Sequence, residues 1–153
     1  MWMILGPSLI ALIAVASPSL AQDISEDRTA VEKTLNGFVE ARNARDAERT
    51  AAFFADDYDQ GNLAIGEVQI KSGKERYQAY ERAFREGRMR NRMASETQNF
   101  RLLTAEVAIL DATLSFLNPD GEEELVNYAT FLFVKRDGDW LIGAVRLSPR
   151  APG

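Results

Sequence analysis

The 153-residue chain contains no cysteine and no histidine. The lack of cysteine excludes disulfide bonds, thiolate nucleophiles and a lipid-modified N-terminal cysteine. The lack of histidine removes the most common general base near neutral pH, the usual zinc ligand, and the base of Ser-His and Cys-His catalytic systems. Together these two absences exclude most nucleophilic and zinc-dependent chemistry.

Acidic residues outnumber basic residues in this chain. There are 18 Lys and Arg residues against 23 Asp and Glu residues, so the formal net charge is −5. This balance argues against nucleic-acid binding, because that affinity is built on Lys and Arg meeting phosphates. Hydrophobic residues make up 46% of the chain and charged residues 27%, which is typical of one globular domain.

No charged residue occurs in residues 1–21, and Met3–Ala16 is almost wholly apolar. Small residues at Ser19 and Ala21 have the spacing of a secretory cleavage site, which predicts a signal peptide over residues 1–21 and a mature chain beginning at Gln22. An uncleaved anchor is the alternative, although two prolines interrupt a stretch that is barely long enough to span a membrane. We expect a periplasmic or secreted protein with no membrane attachment after cleavage.

Two helices are predicted near the start of the mature chain. Asp23 and Glu26 have capping-box spacing, and apolar residues then recur at helical intervals, which predicts a helix from about Ser25 to Asn43. Asp46 is expected to cap the N-terminus of a second, shorter helix that stops near Asp56.

A small hairpin and a third helix are predicted next. The segment Tyr58–Ile70 is short, polar and broken by glycines, which favours a hairpin. Ser72 and Glu75 form another capping box, and this box opens a helix that stops at Gly87. Met93–Leu103 then predicts a long strand.

The C-terminal third of the chain has the pattern of an antiparallel meander. Its strand-like segments are Val107–Leu117, Leu125–Lys135 and Trp140–Leu147. Turns with an Asp-Gly pair separate them, a strong hairpin signal because such turns need positive φ. The element order predicts a single α+β domain over residues 22–149, with three helices packed on one face of a curved, mostly antiparallel sheet and residues 150–153 as a tail.

Both faces of the strand Leu125–Val134 are too apolar to face water. One alternation contains Phe131 and Phe133, and the other contains Leu132 and Val134. If helices cover one face, a second copy of the chain is the simplest cover for the other. We therefore expect a homodimer that forms through the outer face of the sheet.

Three segments carry a resemblance to a known family, namely Phe38–Asp46, Ala52–Asp57 and Asp137–Ile142. They resemble the nuclear-transport-factor-2-like superfamily, in particular its SnoaL-like branch and the neighbouring domain-of-unknown-function group. The resemblance covers the whole mature chain and implies a cone-shaped fold with a pocket between the helices and the concave sheet. It leaves function open, because members include steroid isomerases, polyketide cyclases, dehydratases, a kinase association domain and binding proteins.

The resemblance also implies that the catalytic side chains of the isomerases are missing. It places Phe38 where they have a carbonyl-polarising tyrosine, Asn62 where they have the general-base aspartate, and Ala129 near their second acid. A phenyl ring cannot donate a hydrogen bond, and an amide cannot accept a proton at neutral pH. The His-x-Ser that ends the last strand of many relatives is Arg146-Leu147-Ser148 here. These differences favour a protein without catalysis.

The same resemblance implies which side chains line the pocket. The expected pocket residues are Phe38, Asn62, Asp111, Thr113, Asn127, Phe131, Trp140 and Arg146, with Ser115 also pointing inward. A largely apolar cavity with a few polar groups is typical of a small-molecule site. Arg146 is either a pocket cation or a solvated strand-end arginine. Three roles stay open for Asp111: a base, the ion-pair partner of Arg146, or a residue near solvent.

Two further charged clusters predict no site. The acidic run Asp56–Asp59 matches no calcium loop, so we expect no metal. The basic run from Arg82 to Arg92 is expected to solvate a helix end. The sequence thus predicts an exported small-molecule-binding or accessory protein, without cofactor or assigned catalysis, whose ligand is anionic or polyketide-like. The alternative is a lyase or isomerase of the polyketide-cyclase type that uses Asp111 as its base.

Overall fold

The computed structural model describes residues 20–62 and 66–150. Its elements in chain order are α1 (Leu20–Asn43), α2 (Ala47–Ala52), β1 (Phe54–Asn62), β2 (Glu67–Ile70), α3 (Gly73–Arg85), β3 (Arg92–Thr104), β4 (Val107–Leu117), β5 (Glu123–Arg136) and β6 (Asp139–Pro149). This is the predicted order, and the α+β class is confirmed. The predicted signal peptide lies almost entirely outside the described residues, as does most of the tail, so both stay predictions. None of the described helices is long and apolar enough to cross a membrane.

Helix α1 begins earlier than its sequence predicts. It starts at Leu20, so Asp23 lies in its first turn and is not the cap. The predicted capping box at Asp23 is therefore wrong; good helix formers before it let the helix extend by a turn. The apolar stripe is confirmed, since Val31, Leu35 and Phe38 are all buried.

The caps of the other two helices follow their sequence signals. Asp46 caps α2 by accepting a hydrogen bond from the backbone of Arg49, although the helix ends at Ala52, earlier than predicted. The capping box of Ser72 and Glu75 is present in both directions at the start of α3. Gly87 follows α3 with φ of +67°, a conformation that glycine adopts without steric cost.

The six strands form one open sheet in the order β2-β1-β6-β5-β4-β3. Neighbouring strands are antiparallel except β1 and β6, which run parallel. The pairing of β5 with β6 shifts register beside Gly143, which is unpaired between Ile142 and Ala144. An extra residue of this kind is a β-bulge, and it bends the strand.

One face of the sheet packs under the helices and forms the core. Its buried residues are Ala108, Leu110, Ala112 and Leu114 of β4, Ala129, Phe131 and Phe133 of β5, and Trp140, Ile142 and Val145 of β6. Aromatic side chains fill the space between this face and α1, and the rings of Phe38 and Phe54 meet edge to face at 5.2 Å between centroids. The centre of the domain is therefore close-packed.

The alternate residues of the same strands lie on the opposite face, which we call the outer sheet face. Asp111 of β4 is paired with Thr130 of β5, and Thr130 is paired with Arg146 of β6. Because side chains alternate along a strand and their neighbours are buried, these three point away from the helices. Thr113 and Ser115 follow Asp111 on the same face.

Candidate ligand-binding site

The structure divides the predicted pocket residues between the two faces of the sheet. Phe38, Phe131 and Trp140 lie together in the core, each no more than 6% exposed. Asn127 is paired with core-facing Leu114, and Asn62 is half-buried at the end of β1. These five residues lie on the helix-facing side of the sheet.

The expected inward orientation of Asp111, Thr113, Ser115 and Arg146 is wrong. The pairing of β4 with β5 is offset by one residue from the expected register, and such an offset moves every side chain of β4 to the opposite face of the sheet. On β6 the bulge at Gly143 reverses the alternation, so Trp140 points inward and Arg146 points outward.

The outer-face residues have partners of their own. The Thr130 hydroxyl donates a hydrogen bond to Asp111 Oδ1 at 2.7 Å. Arg146 donates to Asp59 of β1, and this hydrogen bond raises the pKa of Arg146. The side chain of Arg146 passes directly over Gly61, and a Cβ atom added at Gly61 would lie 2.7 Å from Arg146 Cδ. The hypothetical ion pair between Asp111 and Arg146 is therefore not formed.

Trp140 links the last hairpin to helix α1. Its indole N–H donates to Asp27 Oδ1 at 3.1 Å, and Lys135 Nζ donates to the same oxygen at 2.8 Å. The Lys135 ammonium also lies 5.2 Å from the centre of the indole ring. These contacts give Trp140 a structural role.

The strongest candidate for a binding residue is Arg76 of α3, which sequence reasoning missed. The residue is only 3% exposed, and its guanidinium carbon lies 5.0 Å from the ring centre of Phe54 and 4.9 Å from that of Tyr58. Its Nη2 donates to the carbonyl oxygens of Ala55 and Lys71, at 2.8 and 2.9 Å. Its Nε and Nη1 are buried without a hydrogen-bond partner among the described residues.

Arg76 forms no salt bridge in the described part of the chain, although the carboxylates of Asp56 and Asp57 act on its charge from beyond salt-bridge distance. Burial lowers the pKa of Arg76, but a guanidinium stays protonated in proteins. The side chain is therefore a buried cation whose hydrogen-bonding capacity is only partly used.

A second buried arginine lies nearby. Arg42 of α1 is 6% exposed, donates to the carbonyl oxygen of Asn91 at 2.8 Å and lies 5.2 Å from the ring centre of Phe116. Burial raises the pKa of the Tyr80 hydroxyl to about 12, while the charges of Arg42 and Arg76 act in the opposite direction. Two buried guanidinium groups thus act on one tyrosine.

Arg76 and Tyr80 line a cavity of about 330 Å³ between α3 and β1. The lining of this α3 cavity consists of Tyr58, Gln60, Lys71, Arg76, Ala79, Tyr80, Arg82, Ala83, Arg88 and Met89. Its volume is at the lower end of the range for small-molecule sites, which begins at about 300 Å³. Chemically, the cavity offers cationic donors and aromatic surface but no carboxylate, so it is suited to holding an anion.

Two further cavities are open to the surface. One, of about 580 Å³ between α2 and α3, has Arg76 and Asp56 in its wall. The other, of about 910 Å³, lies between α1 and the turn before β6 and includes Trp140. Trp140 is the one predicted pocket residue that lines any of these three cavities. No group of three or more Asp and Glu side chains in the described ranges is arranged to hold a metal.

Comparison with protein families gives one match over most of the chain. The sequence profile of the SnoaL-like domain matches residues 31–152. None of the curated proteins compared with the chain matches it.

Several solved structures are similar to this chain. A cystatin-like domain of unknown function from Nostoc punctiforme has a TM-score of 0.72 and 19% identity, over 84% of this chain and 80% of that one. An NTF-2-like protein of unknown function from Shewanella oneidensis has a TM-score of 0.69 and 15% identity, over 80% and 98%. A ketosteroid isomerase-like protein from Erwinia carotovora has a TM-score of 0.64 and 18% identity, over 83% and 98%. At these identities the likeness shows the fold alone, and the expected cystatin-like arrangement of helices on one face of an open sheet is confirmed.

Proposed function

Because the chain belongs to the SnoaL-like domain family, we propose that it is a small-molecule-binding or accessory protein and that its site is the α3 cavity. The observation that carries this proposal is Arg76, a buried cation that lines the α3 cavity and whose Nε and Nη1 have no hydrogen-bond partner among the described residues. Burying an ion whose hydrogen-bonding groups are only partly satisfied costs several kcal/mol, on the order of the desolvation penalty of an ion. A ligand anion that reaches Arg76 offsets this cost, so the ligand is a small organic anion.

Binding without catalysis is the better of the two expected functions. The similarity to a ketosteroid isomerase-like protein raises the alternative, but the family resemblance places Phe38, Asn62 and Ala129 at the positions of the isomerase catalytic groups. Asp111, the base of the lyase hypothesis, belongs to the outer sheet face and is hydrogen-bonded to Thr130. The three cavities described above do not include it.

We also propose that the protein is exported and forms a homodimer. Export is supported by the signal-peptide pattern that ends at Ala21; intact-mass analysis of periplasmic protein should give a chain beginning at Gln22, and a retained Met1 would contradict it. Dimerisation through the outer sheet face is supported by the half-buried Leu132 and Val134 and by Tyr128, which is 52% exposed.

A thermal-shift panel tests the binding proposal. Small carboxylates and their neutral amides are added to the mature protein, to the Arg76→Gln variant and to an Arg85→Gln control. Arg85 is an exposed arginine of the same helix. A carboxylate at 100 times its Kd stabilises the native state by about 2.7 kcal/mol. We expect this gain for the wild type and the Arg85 control, not with amides and not for Arg76→Gln.

Two outcomes of this panel contradict the proposal. One is an equal melting-temperature gain with carboxylates and with their amides. The other is a carboxylate-specific gain that survives in Arg76→Gln.

A further inference from the structure

The α3 cavity carries positive charge at two levels. Arg76 is buried at its inner wall, whereas Arg82 and Lys71 are more accessible. Arg88 also lines the cavity, but its guanidinium pairs with Glu86 at 2.7 Å. The side chains of Arg82 and Lys71 form no hydrogen bond or ion pair with any residue in the described ranges. Arg82 and Lys71 are therefore more accessible cations without a salt bridge, although Lys71 lies close enough to the Glu75 carboxylate to act on its charge.

This concentration of charge is unusual for so acidic a chain. The net charge of the protein is −5, yet the lining of the α3 cavity has Lys71, Arg76, Arg82 and Arg88 and no Asp or Glu. The two other cavities each contain carboxylates in their walls. Arginines that merely solvate a helix end need not avoid carboxylates, so a cavity without them favours an anionic occupant.

The spacing of the two levels follows from the helix. Arg76 and Arg82 are on α3 six residues apart, which is about 9 Å along the axis. Tyr80 lies between them, and its ring stacks against Phe84 with centroids 5.8 Å apart. Ala83 and Met89 complete an apolar wall. The lining of the cavity thus combines one buried cation, aromatic and apolar side chains, and two more accessible cations.

We propose that the α3 cavity binds a dianionic organic molecule. One carboxylate interacts with Arg76, the second interacts with Arg82 and Lys71, and an apolar body lies beside Tyr80. This inference rests on the proposed function, since it specifies the ligand class of the same site. Aromatic dicarboxylates and short aliphatic dicarboxylates have this chemistry.

Isothermal titration calorimetry of the mature protein tests the inference. The probes are terephthalate and 4-carboxybenzamide, which have the same shape but differ by one charge, and a series of aliphatic dicarboxylates from succinate to suberate. One charge-assisted hydrogen bond of moderate strength increases the affinity of a ligand about tenfold. We expect terephthalate, or the best aliphatic dicarboxylate, to bind about tenfold more tightly than its monoamide.

Affinity measurements on variants test which cation binds which carboxylate of the ligand. The double variant Lys71→Gln/Arg82→Gln should remove the tenfold preference while leaving the affinity for the monoamide unchanged, and Arg76→Gln should weaken both probes. Arg85→Gln serves as the control, because this exposed arginine of the same helix does not line the cavity.

The possible failures are distinguishable. Equal affinity for diacid and monoamide, with both dependent on Arg76, overturns the dianion inference and leaves the proposed function standing. A diacid preference that persists in the Lys71→Gln/Arg82→Gln double variant also overturns it. If no carboxylate in either series binds, the inference and the proposed function both fail.

Discussion

The hydrogen bond between Trp140 and Asp27 can be tested by removing its acceptor. Trp140 is 4% exposed, so Asp27→Ala leaves a buried indole N–H without a partner, at a cost of about 1–3 kcal/mol. The ion pair with Lys135 is lost as well, but its side chains are 32% and 16% exposed for Lys135 and Asp27, so it adds only about 0–1 kcal/mol. We expect a total loss of about 2 kcal/mol, or about 4–8 °C in Tm for a domain of this size.

Tryptophan fluorescence during urea unfolding measures this loss. The chain has two tryptophans, and the other, Trp2, lies in the predicted signal peptide, so the emission of the mature protein reports Trp140 alone. Asp27→Asn keeps an oxygen acceptor for the indole and loses only the charge, so it should cost less than Asp27→Ala. Glu40→Ala removes the same charge from an exposed position of α1 and serves as the control.

The reasoning is refuted if Asp27→Ala and Glu40→Ala have the same free energy of unfolding and the same emission maximum. It is also refuted if Asp27→Asn is as destabilising as Asp27→Ala, because the indole bond would then contribute nothing beyond the charge.

Three further predictions concern alkaline stability, the β1 glycine and the outer sheet face. The pKa of Tyr80 is raised from 10.0 to about 12 in the native state, so this hydroxyl loses its proton first in the unfolded state. As the pH rises between these two values, the free energy of unfolding should fall by about 2–3 kcal/mol. Denaturant titrations at several pH values should show a smaller fall for Tyr80→Phe. Gly61→Ala should displace Arg146 from Asp59 and destabilise the protein by about 1–3 kcal/mol. Unfolding measurements should show a smaller loss when the same change is made in the Arg146→Ala background, and strictly additive losses would contradict the contact. Leu132→Arg should convert the proposed dimer to monomers in sedimentation experiments, and a wild type that is already monomeric at micromolar concentration ends that proposal.

Most elements of the fold were predictable because their signals are local. The capping box of Ser72 and Glu75 fixes the start of α3, and the Asp-Gly turns fix the ends of the last three strands within a few residues. The parallel pairing of β1 with β6 was not predicted, since it depends on contacts between distant parts of the chain and has no short-range signature.

The site was less predictable, and two residues show why. Arg146 is an even number of residues from Trp140, so strict alternation would place both side chains on the same face. Only the bulge at Gly143 turns Arg146 to the outer sheet face, and a glycine in a strand is a weak sign of such a bulge. Arg76 resembles any charged residue of a surface helix, and its burial depends on the rings of Phe54 and Tyr58, which β1 brings beneath α3. The one available signal was the spacing of Arg76 and Tyr80, four residues apart on one helix face.

The parallel pairing of β1 with β6 also has a consequence for the order in which the molecule assembles. Phe54 of β1 is paired with Ile142 of β6, so these neighbours are separated by more than half of the chain. Contacts between such distant segments form slowly, because the loop that joins them must close first. During synthesis β1 pairs early only with β2, its other neighbour in the sheet. Its place beside β6 is completed after the final hairpin has left the ribosome, so the α3 cavity, which β1 helps to line, is completed late.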